Sequence, residues 1–334
     1  MNNRDRVRAT LAFEPVDRLP CTEWAPWWDQ TIYRWRNEGL PADLPVGREG
    51  MVAIQDWLGL DPMYQINVPS TAASYPTTPH GHGLVSDMAS YEALREHLYP
   101  EIDWETMVPQ WVRERHASGD LAVWFTVEGF FWWPRRLFGI ERHLYAFYDQ
   151  PELMTRINID QSAFIQRVVR EVTEILTPEF MTFAEDMSYN HGPMLSRDLF
   201  DEFEAPYFRE VVPLILSRGM IPIIDSDGNI ESCMPWFLDC GLEGILPLER
   251  QSGVDVSRLR RNHPDLRLVG GFDKMTMNRG VEAMRDEFER LLPVMRQGGF
   301  MPGCDHQTPP GVSLAQYRDY MALMFEYAER GRPV

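Results

Sequence analysis

The amino-acid sequence predicts an α/β protein, specifically a (β/α)8 TIM barrel with an N-terminal helical extension. From about residue 120 onward, short apolar runs alternate with longer segments of helical periodicity, which is typical of parallel strands covered by helices. The chain has 334 residues, a length that one such barrel commonly fills. An open doubly wound sheet usually carries a G-x-G-x-x-G turn after its first strand, and this sequence contains none.

Apolar runs in the second part of the chain predict six strands, at 121–127, 180–184, 220–224, 244–248, 266–269 and 299–302. Two more strands are expected in the first 120 residues, one of them near 19–23, which brings the total to eight. Helical periodicity predicts the main helices at 3–13, 152–176, 199–217, 281–297 and 314–329. No repeat or linker interrupts these segments, so we expect a single domain over 1–334.

The composition excludes several classes of protein. Hydrophobic residues make up 44% and charged residues 25% of the chain, which is the range of globular rather than disordered proteins. The 50 acidic and 32 basic side chains give a net charge of −18, which opposes binding to nucleic acids and anionic membranes. A polar N-terminus without a long apolar stretch predicts a cytoplasmic protein with no membrane span.

Carboxylates follow six consecutive predicted strands. In a (β/α)8 barrel the C-terminal ends of the strands surround one mouth, where the active site lies. Each carboxylate by itself could simply cap a helix or a turn. Several at one mouth repel one another unless a cation, a proton or a substrate compensates. The sequence therefore predicts a functional mouth formed by Glu128, Glu185, Asp186, Asp225, Asp227, Glu249, Asp273, Cys304, Asp305 and His306.

Two pairs within this set have a spacing that suits ligands. Asp225 and Asp227 are two apart, so on an extended segment their side chains point the same way. Cys304 and His306 share that spacing and offer a thiol and an imidazole, both of which bind zinc well. A mixed Asp/Cys/His metal site is one interpretation. A buried cysteine beside a hydrogen-bonded loop histidine is the other.

Aromatic residues and a further histidine pair complete the candidates. Trp24 and Trp132 belong to aromatic clusters that could cover an apolar substrate or form part of the core. His80 and His82 also have ligand-like spacing, but they lie in a stretch rich in Pro, Gly and Thr. We interpret that stretch as a loop.

Several motifs, in order along nearly the whole chain, resemble the uroporphyrinogen decarboxylase-like superfamily, which includes the cobalamin-dependent methyltransferases. They are RDRV at 4–7, DRLP at 17–20, EDM at 185–187, GPMLS at 192–196, DSDGN at 225–229, GGFDK at 270–274 and PGCDHQ at 302–307. The resemblance implies a (β/α)8 barrel with its site at the C-terminal mouth.

Within this superfamily the sequence is more similar to the methyltransferase branch, because the arginine-rich segment RQAGRY of the true decarboxylase is absent. The methyltransferases bind zinc through an H-x-C pair and a later cysteine. Cys304 is at the later cysteine position, whereas Asp225 and Asp227 occupy the H-x-C positions. The resemblance thus implies a divalent metal, zinc first, at these three residues, with Glu249 or His306 able to complete the set. A metal-free site with two acid–base aspartates is equally allowed.

The resemblance further implies an enzyme that moves a methyl group from a small methoxy or methylamine compound to a corrinoid carried by a separate protein. Asp225, Asp227, Glu185 and Asp186 are the expected catalytic residues. Substrate contacts are expected from His191, Tyr189, Glu128, Trp24, Trp132 and Asp273. The alternatives are a decarboxylase or lyase acting on a small carboxylated substrate, and a non-catalytic corrinoid- or ligand-binding protein. We also consider a homodimer, because such barrels often pair through surface helices.

Overall fold

The computed structural model describes residues 1–47 and 50–333 and has a mixed α/β architecture. Its main sheet has seven strands, and a second sheet has two. The strands of the main sheet are β1 (Met63–Asn67), β2 (Ala122–Glu128), β3 (Phe180–Ala184), β6 (Ile221–Asp225), β7 (Gly244–Leu246), β8 (Arg267–Phe272) and β9 (Phe300–Cys304). The small sheet consists of β4 (Ser188–Tyr189) and β5 (Gly192–Pro193).

Some of the α-helices form short connections, and others extend over long segments. They are α1 (Asn3–Leu11), α2 (Asp29–Asn37), α3 (Met51–Leu58), α4 (Met88–Leu94), α5 (Trp104–Met107), α6 (Gln110–Ser118), α7 (Trp132–Phe138), α8 (Ile140–Asp149), α9 (Pro151–Ile175), α10 (Arg197–Phe203), α11 (Ala205–Ser217), α12 (Met234–Leu238), α13 (Val256–Asn262), α14 (Val281–Met295) and α15 (Leu314–Arg330). Short 3-10 helices lie at Arg95–His97, Arg250–Ser252 and Lys274–Arg279. Within the described ranges, no helix is both long enough and apolar enough to cross a membrane.

All six strands predicted from the apolar runs are present, within three residues at each end. The first 120 residues contain one strand of the main sheet, β1, instead of two, so a complete eight-stranded barrel is not confirmed. The prediction of a strand near 19–23 is wrong. Pro20 has no N–H to donate, and the Cys21 amide donates to the Asp61 carboxylate at 2.8 Å rather than to a neighbouring strand.

The predicted long helices are present, but the one at 199–217 is interrupted. It forms two helices, α10 and α11, that meet at Glu204. Glu204 has the non-helical dihedral angles φ −122° and ψ −49°, and a proline lies in the first turn of α11, where its missing N–H costs no hydrogen bond. The capping box predicted at Ser313 and Gln316 is confirmed at the start of α15.

The chain divides into two compact units. Unit 1 comprises Met1–Gln65, Trp111–Trp124 and Gly244–Val334, and unit 2 comprises Ile66–Gln110 and Phe125–Glu243. In unit 1, β8 pairs in parallel with both β7 and β9. In unit 2, β3 pairs in parallel with β6. The single domain expected over 1–334 stays a prediction.

Asp61 anchors the N-terminal segment of unit 1. Its buried carboxylate accepts hydrogen bonds from the Arg18 guanidinium at 2.6 and 2.7 Å and from the Cys21 amide at 2.8 Å. The Arg6 guanidinium lies 3.4 Å from the same carboxylate and also binds Asp17. One buried carboxylate thus holds α1 and the turn after it in place.

We expect Asp61→Ala to lower the free energy of unfolding by about 3–5 kcal/mol, because it leaves buried cationic and amide donors without their acceptor. Urea denaturation measures this loss. The control is Asp56→Ala, since Asp56 pairs with Arg115 at an exposed position and should cost less than about 1 kcal/mol. Equal losses in the two variants would show that Asp61 is not an anchor.

Candidate functional site

The four predicted catalytic residues come together in unit 2 because β3 and β6 end at the same level. Their parallel register pairs Ala184, the last residue of β3, with Asp225, the last residue of β6. The Glu185 amide continues the ladder and donates to the Asp225 carbonyl at 2.8 Å. Glu185 and Asp186 therefore follow one strand directly beside the loop that carries Asp225 and Asp227.

Glu185 is fully buried, and its carboxylate binds the start of α7. It accepts hydrogen bonds from the backbone amides of Phe130 at 2.9 Å, Phe131 at 3.0 Å and Trp132 at 3.2 Å. The unpaired amides of a helix N-terminus suit a carboxylate in both hydrogen bonding and charge. A Cβ at Gly129 would lie 2.0 Å from a Glu185 oxygen, so only glycine fits there.

A second buried carboxyl, Glu204, interacts with Glu185 electrostatically. Neither of its side-chain oxygens has a hydrogen-bond partner within the described part of the chain. Burial raises the pKa of Glu204 well above its usual range, with the Glu185 charge adding to the effect. Burial likewise raises the pKa of Glu185, against the effect of its three amide donors. Because those donors favour the ionised form of Glu185, we assign the proton of this pair to Glu204.

The loop after β6 is fixed by the Asp186 side chain. An Asp186 carboxylate oxygen accepts a hydrogen bond from the Asp227 amide at 3.0 Å, and Asp186 itself has the unusual φ of +37°. Asp225 and Asp227 are half-buried, with the buried Ser226 between them. Neither aspartate is fully buried, and the prediction that both point the same way stays a prediction.

Tyr189 and His191 lie on the exposed hairpin formed by β4 and β5, with ring centroids 5.7 Å apart. The Tyr189 carbonyl accepts a hydrogen bond from the Asn229 amide at 2.9 Å. A Cβ at Gly228 would approach the Ser188 carbonyl to 2.8 Å, so the loop after β6 packs directly on this hairpin. The two predicted substrate contacts are thus neighbours of the acidic loop.

A cleft of about 240 Å³ opens in unit 2 beside these loops. Trp132 lines it, and Arg135 joins it to the acidic loop by donating to the Asp186 carbonyl at 3.2 Å. Glu128, another predicted contact, forms an ion pair with Arg136 in its wall. The other lining residues are Tyr75, Thr78, Pro79, His80, Gly81, His82, Trp133, Gly139 and Ile140.

The sequence predicted Trp132 and Glu128 as ligand contacts, but it did not predict the rest of this cleft or the buried Glu204. His80 and His82 do form a loop, as interpreted, yet this loop lines the cleft. Besides the aromatic run that contains Trp132, a signal for the cleft was the pair of adjacent basic residues, Arg135 and Arg136, in an acidic chain. Glu204 had no such signal, because one acidic residue inside a helical pattern is normally exposed.

Unit 1 contains a separate polar cluster at the ends of β8 and β9. The register pairs Phe272 with Cys304, so Asp273 and Asp305 follow side by side. Asp305 is fully buried and accepts from the Lys274 ammonium at 3.0 Å and from the Arg250 amide at 3.0 Å. Asp273 accepts from the Gln251 amide group at 2.6 Å and caps the 3-10 helix that follows it. These contacts give both aspartates structural partners.

Cys304 is buried against Glu23, a carboxyl that the sequence analysis did not single out. The Cys304 amide donates to Glu23 at 3.0 Å, and the Trp24 indole N–H donates to the Cys304 carbonyl at 2.9 Å. Burial, with the Glu23 and Asp305 charges, raises the pKa of the Cys304 thiol well above its usual range. His306 packs edge-on against Trp24, with ring centroids 6.0 Å apart.

The predicted metal ligands draw on both units, with Asp225 and Asp227 in unit 2 and Cys304, Glu249 and His306 in unit 1. A cysteine binds zinc as a thiolate, a form that burial of the Cys304 thiol disfavours by raising its pKa. No group of three or more His, Cys, Asp or Glu side chains in the described residues could hold a metal ion. The zinc site stays a prediction, and we assign no chemical step to a metal.

The contact of Gly129 with Glu185 can be tested by a double-mutant cycle. We expect Gly129→Ala alone to lower the free energy of unfolding by about 1–3 kcal/mol through steric overlap. In the Glu185→Ala background the same change should cost much less, because the overlapping oxygen is gone. Urea denaturation of the four proteins gives the coupling energy. A coupling energy near zero would contradict this contact.

Burial of Glu204 should make stability dependent on pH. A carboxyl whose pKa is raised in the folded state stabilises the fold below its unfolded pKa, near 4.5, and loses that contribution as pH rises. We therefore expect the free energy of unfolding to fall from pH 5 to pH 8.5, and to fall less in Glu204→Gln, whose amide cannot ionise. Glu202→Gln, an exposed change on α10, should keep the wild-type dependence. Identical pH profiles for all three proteins would refute this assignment.

No protein-family model matches the chain, and no curated protein matches it. Among solved structures, a methyltransferase from Methanosarcina mazei is similar with a TM-score of 0.69 and 16% identity, over 98% of this chain and 99% of that chain. D-psicose 3-epimerase from Clostridium cellulolyticum H10 reaches a TM-score of 0.40 at 10% identity, over 92% of this chain and 97% of that chain. Xylanase B from Clostridium stercorarium F9 reaches 0.38 at 9% identity, over 74% and 85%.

Only the first of these likenesses is close enough to carry an argument. It extends over nearly the whole chain, and at 16% identity it shows a shared fold. The resemblance to the uroporphyrinogen decarboxylase-like superfamily stays a prediction. The structural likeness shows only that a methyltransferase has the same fold.

Proposed function

We propose that this protein is a methyltransferase-like enzyme. It would move a methyl group from a small methoxy or methylamine compound to a corrinoid held by a partner protein. The observation that carries the proposal is the contact between the cleft and the acidic loops, made by the Arg135 guanidinium on the Asp186 carbonyl at 3.2 Å. Through this contact an arginine of the cleft meets the residue that holds the Asp227 amide, and the fold shared with a methyltransferase supports the proposal.

In this reaction the bond between the methyl carbon and its oxygen or nitrogen breaks, and the electron pair stays on that heteroatom. The partner's reduced corrinoid supplies the nucleophile for the methyl carbon. The leaving heteroatom needs a proton, and half-buried carboxyl groups beside the cleft are suited to donate one. We assign this role to Asp225 and Asp227, while Asp186 holds the Asp227 amide in place.

Glu185 has a positioning role in this scheme. Its carboxylate faces three backbone amides and is closed off from solvent, so it has no access to a substrate. It sets where α7 begins, and therefore where Trp132 and Arg135 lie. Trp132 covers the cleft and excludes water from the bound donor.

The purified protein should methylate free cob(I)alamin when it is given an aryl methyl ether or trimethylamine as the donor. Asp225→Asn and Asp227→Asn should each reduce this rate about 100-fold or more, because they remove a general acid. The measurement is the formation of methylcobalamin under reducing conditions. The control is Asp198→Asn, an exposed change on α10, with thermal melting curves for all variants.

Two results would contradict the proposal. Release of carbon dioxide from a small carboxylic acid without methylcobalamin formation would identify the alternative decarboxylase or lyase. Binding of a corrinoid or another ligand without turnover would identify a non-catalytic binding protein.

A further inference from the structure

The cleft of unit 2 is walled by cationic and imidazole side chains, although the whole chain has a net charge of −18. Arg135 and Arg136 line it from α7, and His80 and His82 line it from the loop after β1. A wall of this kind in an acidic protein concentrates positive potential at one place. The cleft is therefore suited to an anion and unsuited to a methylammonium cation.

Arg135 is the residue that is available to bind such an anion. Its guanidinium donates to the Asp186 carbonyl and lies 4.9 Å from the centre of the Trp132 ring. No carboxylate pairs with it anywhere in the described ranges, whereas its neighbour Arg136 is paired with Glu128. A half-buried guanidinium with free N–H groups matches a carboxylate, which it can bind with two parallel hydrogen bonds.

The histidine loop is held in place by backbone contacts with α7 and α8. The Gly81 carbonyl accepts from the Ile140 amide at 3.0 Å, and the Val85 amide donates to the Leu137 carbonyl at 2.9 Å. A Cβ at Gly83 would lie 2.1 Å from the same Leu137 carbonyl. This packing fixes the loop against the helix that carries Arg135, so the polar wall is built before any ligand arrives.

The lining also includes aromatic and apolar side chains. Trp132, Tyr75 and Ile140 contribute to it, and flat aromatic faces favour a planar ligand. The volume of about 240 Å³ lies below the roughly 300–1,000 Å³ of pockets for drug-sized ligands. We propose that the cleft binds a small aromatic carboxylate, with its carboxylate on Arg135 and its ring against Trp132.

The binding of such an acid does not require that methyl transfer takes place. If the proposed function also holds, and only then, the acid would be the methyl donor, which would be a methoxylated aromatic acid and not a methylamine.

Isothermal titration calorimetry with benzoate tests the site directly, with benzyl alcohol as the neutral analogue of similar shape. We expect the wild-type protein to bind benzoate at least 10-fold more tightly than benzyl alcohol. Arg135→Gln should weaken benzoate binding at least 10-fold and leave benzyl alcohol unchanged. The matched control is Arg142→Gln, since Arg142 is exposed on α8 outside this cleft and its loss should leave benzoate binding unchanged.

Equal affinity for benzoate and benzyl alcohol, absence of benzoate binding, or equal losses in the two arginine variants would each overturn the proposal. If Arg135→Gln fails to fold, Arg135→Lys replaces it, and loss of the paired hydrogen bonds should still weaken benzoate binding. The comparison of benzoate with benzyl alcohol on the wild-type protein tests the proposal even if no variant folds. Benzoate binding without methylcobalamin formation would refute the proposed function alone, whereas methylcobalamin formation by a protein that does not bind benzoate would refute the carboxylate site alone.

Discussion

The hydrogen bonds between the Glu185 carboxylate and the first amides of α7 determine the geometry of the candidate site in unit 2. They join the end of β3 to the segment that follows β2, at a point where a single added Cβ, on Gly129, would not fit. The position of α7 decides where Trp132 and Arg135 lie, and hence the shape of the cleft. Burial raises the pKa of Glu204 and the charge of the same carboxylate adds to the effect, so Glu185 influences both the structure and the proton balance of the site.

In unit 2, the acidic and the basic side chains of the candidate site lie in different places. Acidic groups follow β3 and β6, while the cleft beside them is walled by basic groups on α7 and by the histidine loop. Two hydrogen bonds link these regions: the Arg135 guanidinium donates to the Asp186 carbonyl, and the Trp132 amide donates to the Glu185 carboxylate. Because the bond from Arg135 goes to a carbonyl, the arginine keeps its charge available to a ligand.

The parts of this structure that sequence reasoning predicted are those with a local and repeated signal. Five strands are predominantly or entirely buried apolar runs, namely β2, β3, β6, β8 and β9. Because parallel strands end at one edge of a sheet, these runs also predicted that Glu185 lies close to the loop after β6. Strand β1 has a mixed burial pattern and left no such run. The cleft is assembled from separate loops without a shared spacing, so only Trp132 and Glu128 of it were predicted as ligand contacts. The burial of Glu204 depends on how separate elements pack, so it could not be predicted.

Unit 1 is built from segments near both ends of the chain, and this affects how it folds during synthesis. Hydrogen bonds join its first and last segments, as between the Trp24 indole and the Cys304 carbonyl, which are 280 residues apart. At a ribosomal rate of roughly 5–20 residues per second, the N-terminal segment waits on the order of 15–60 seconds for these partners. Unit 2 is translated entirely within that interval, so the nascent chain completes its inner segments while its beginning is still unpartnered. During this time the apolar side chains of the first 65 residues are open to chaperones and to aggregation.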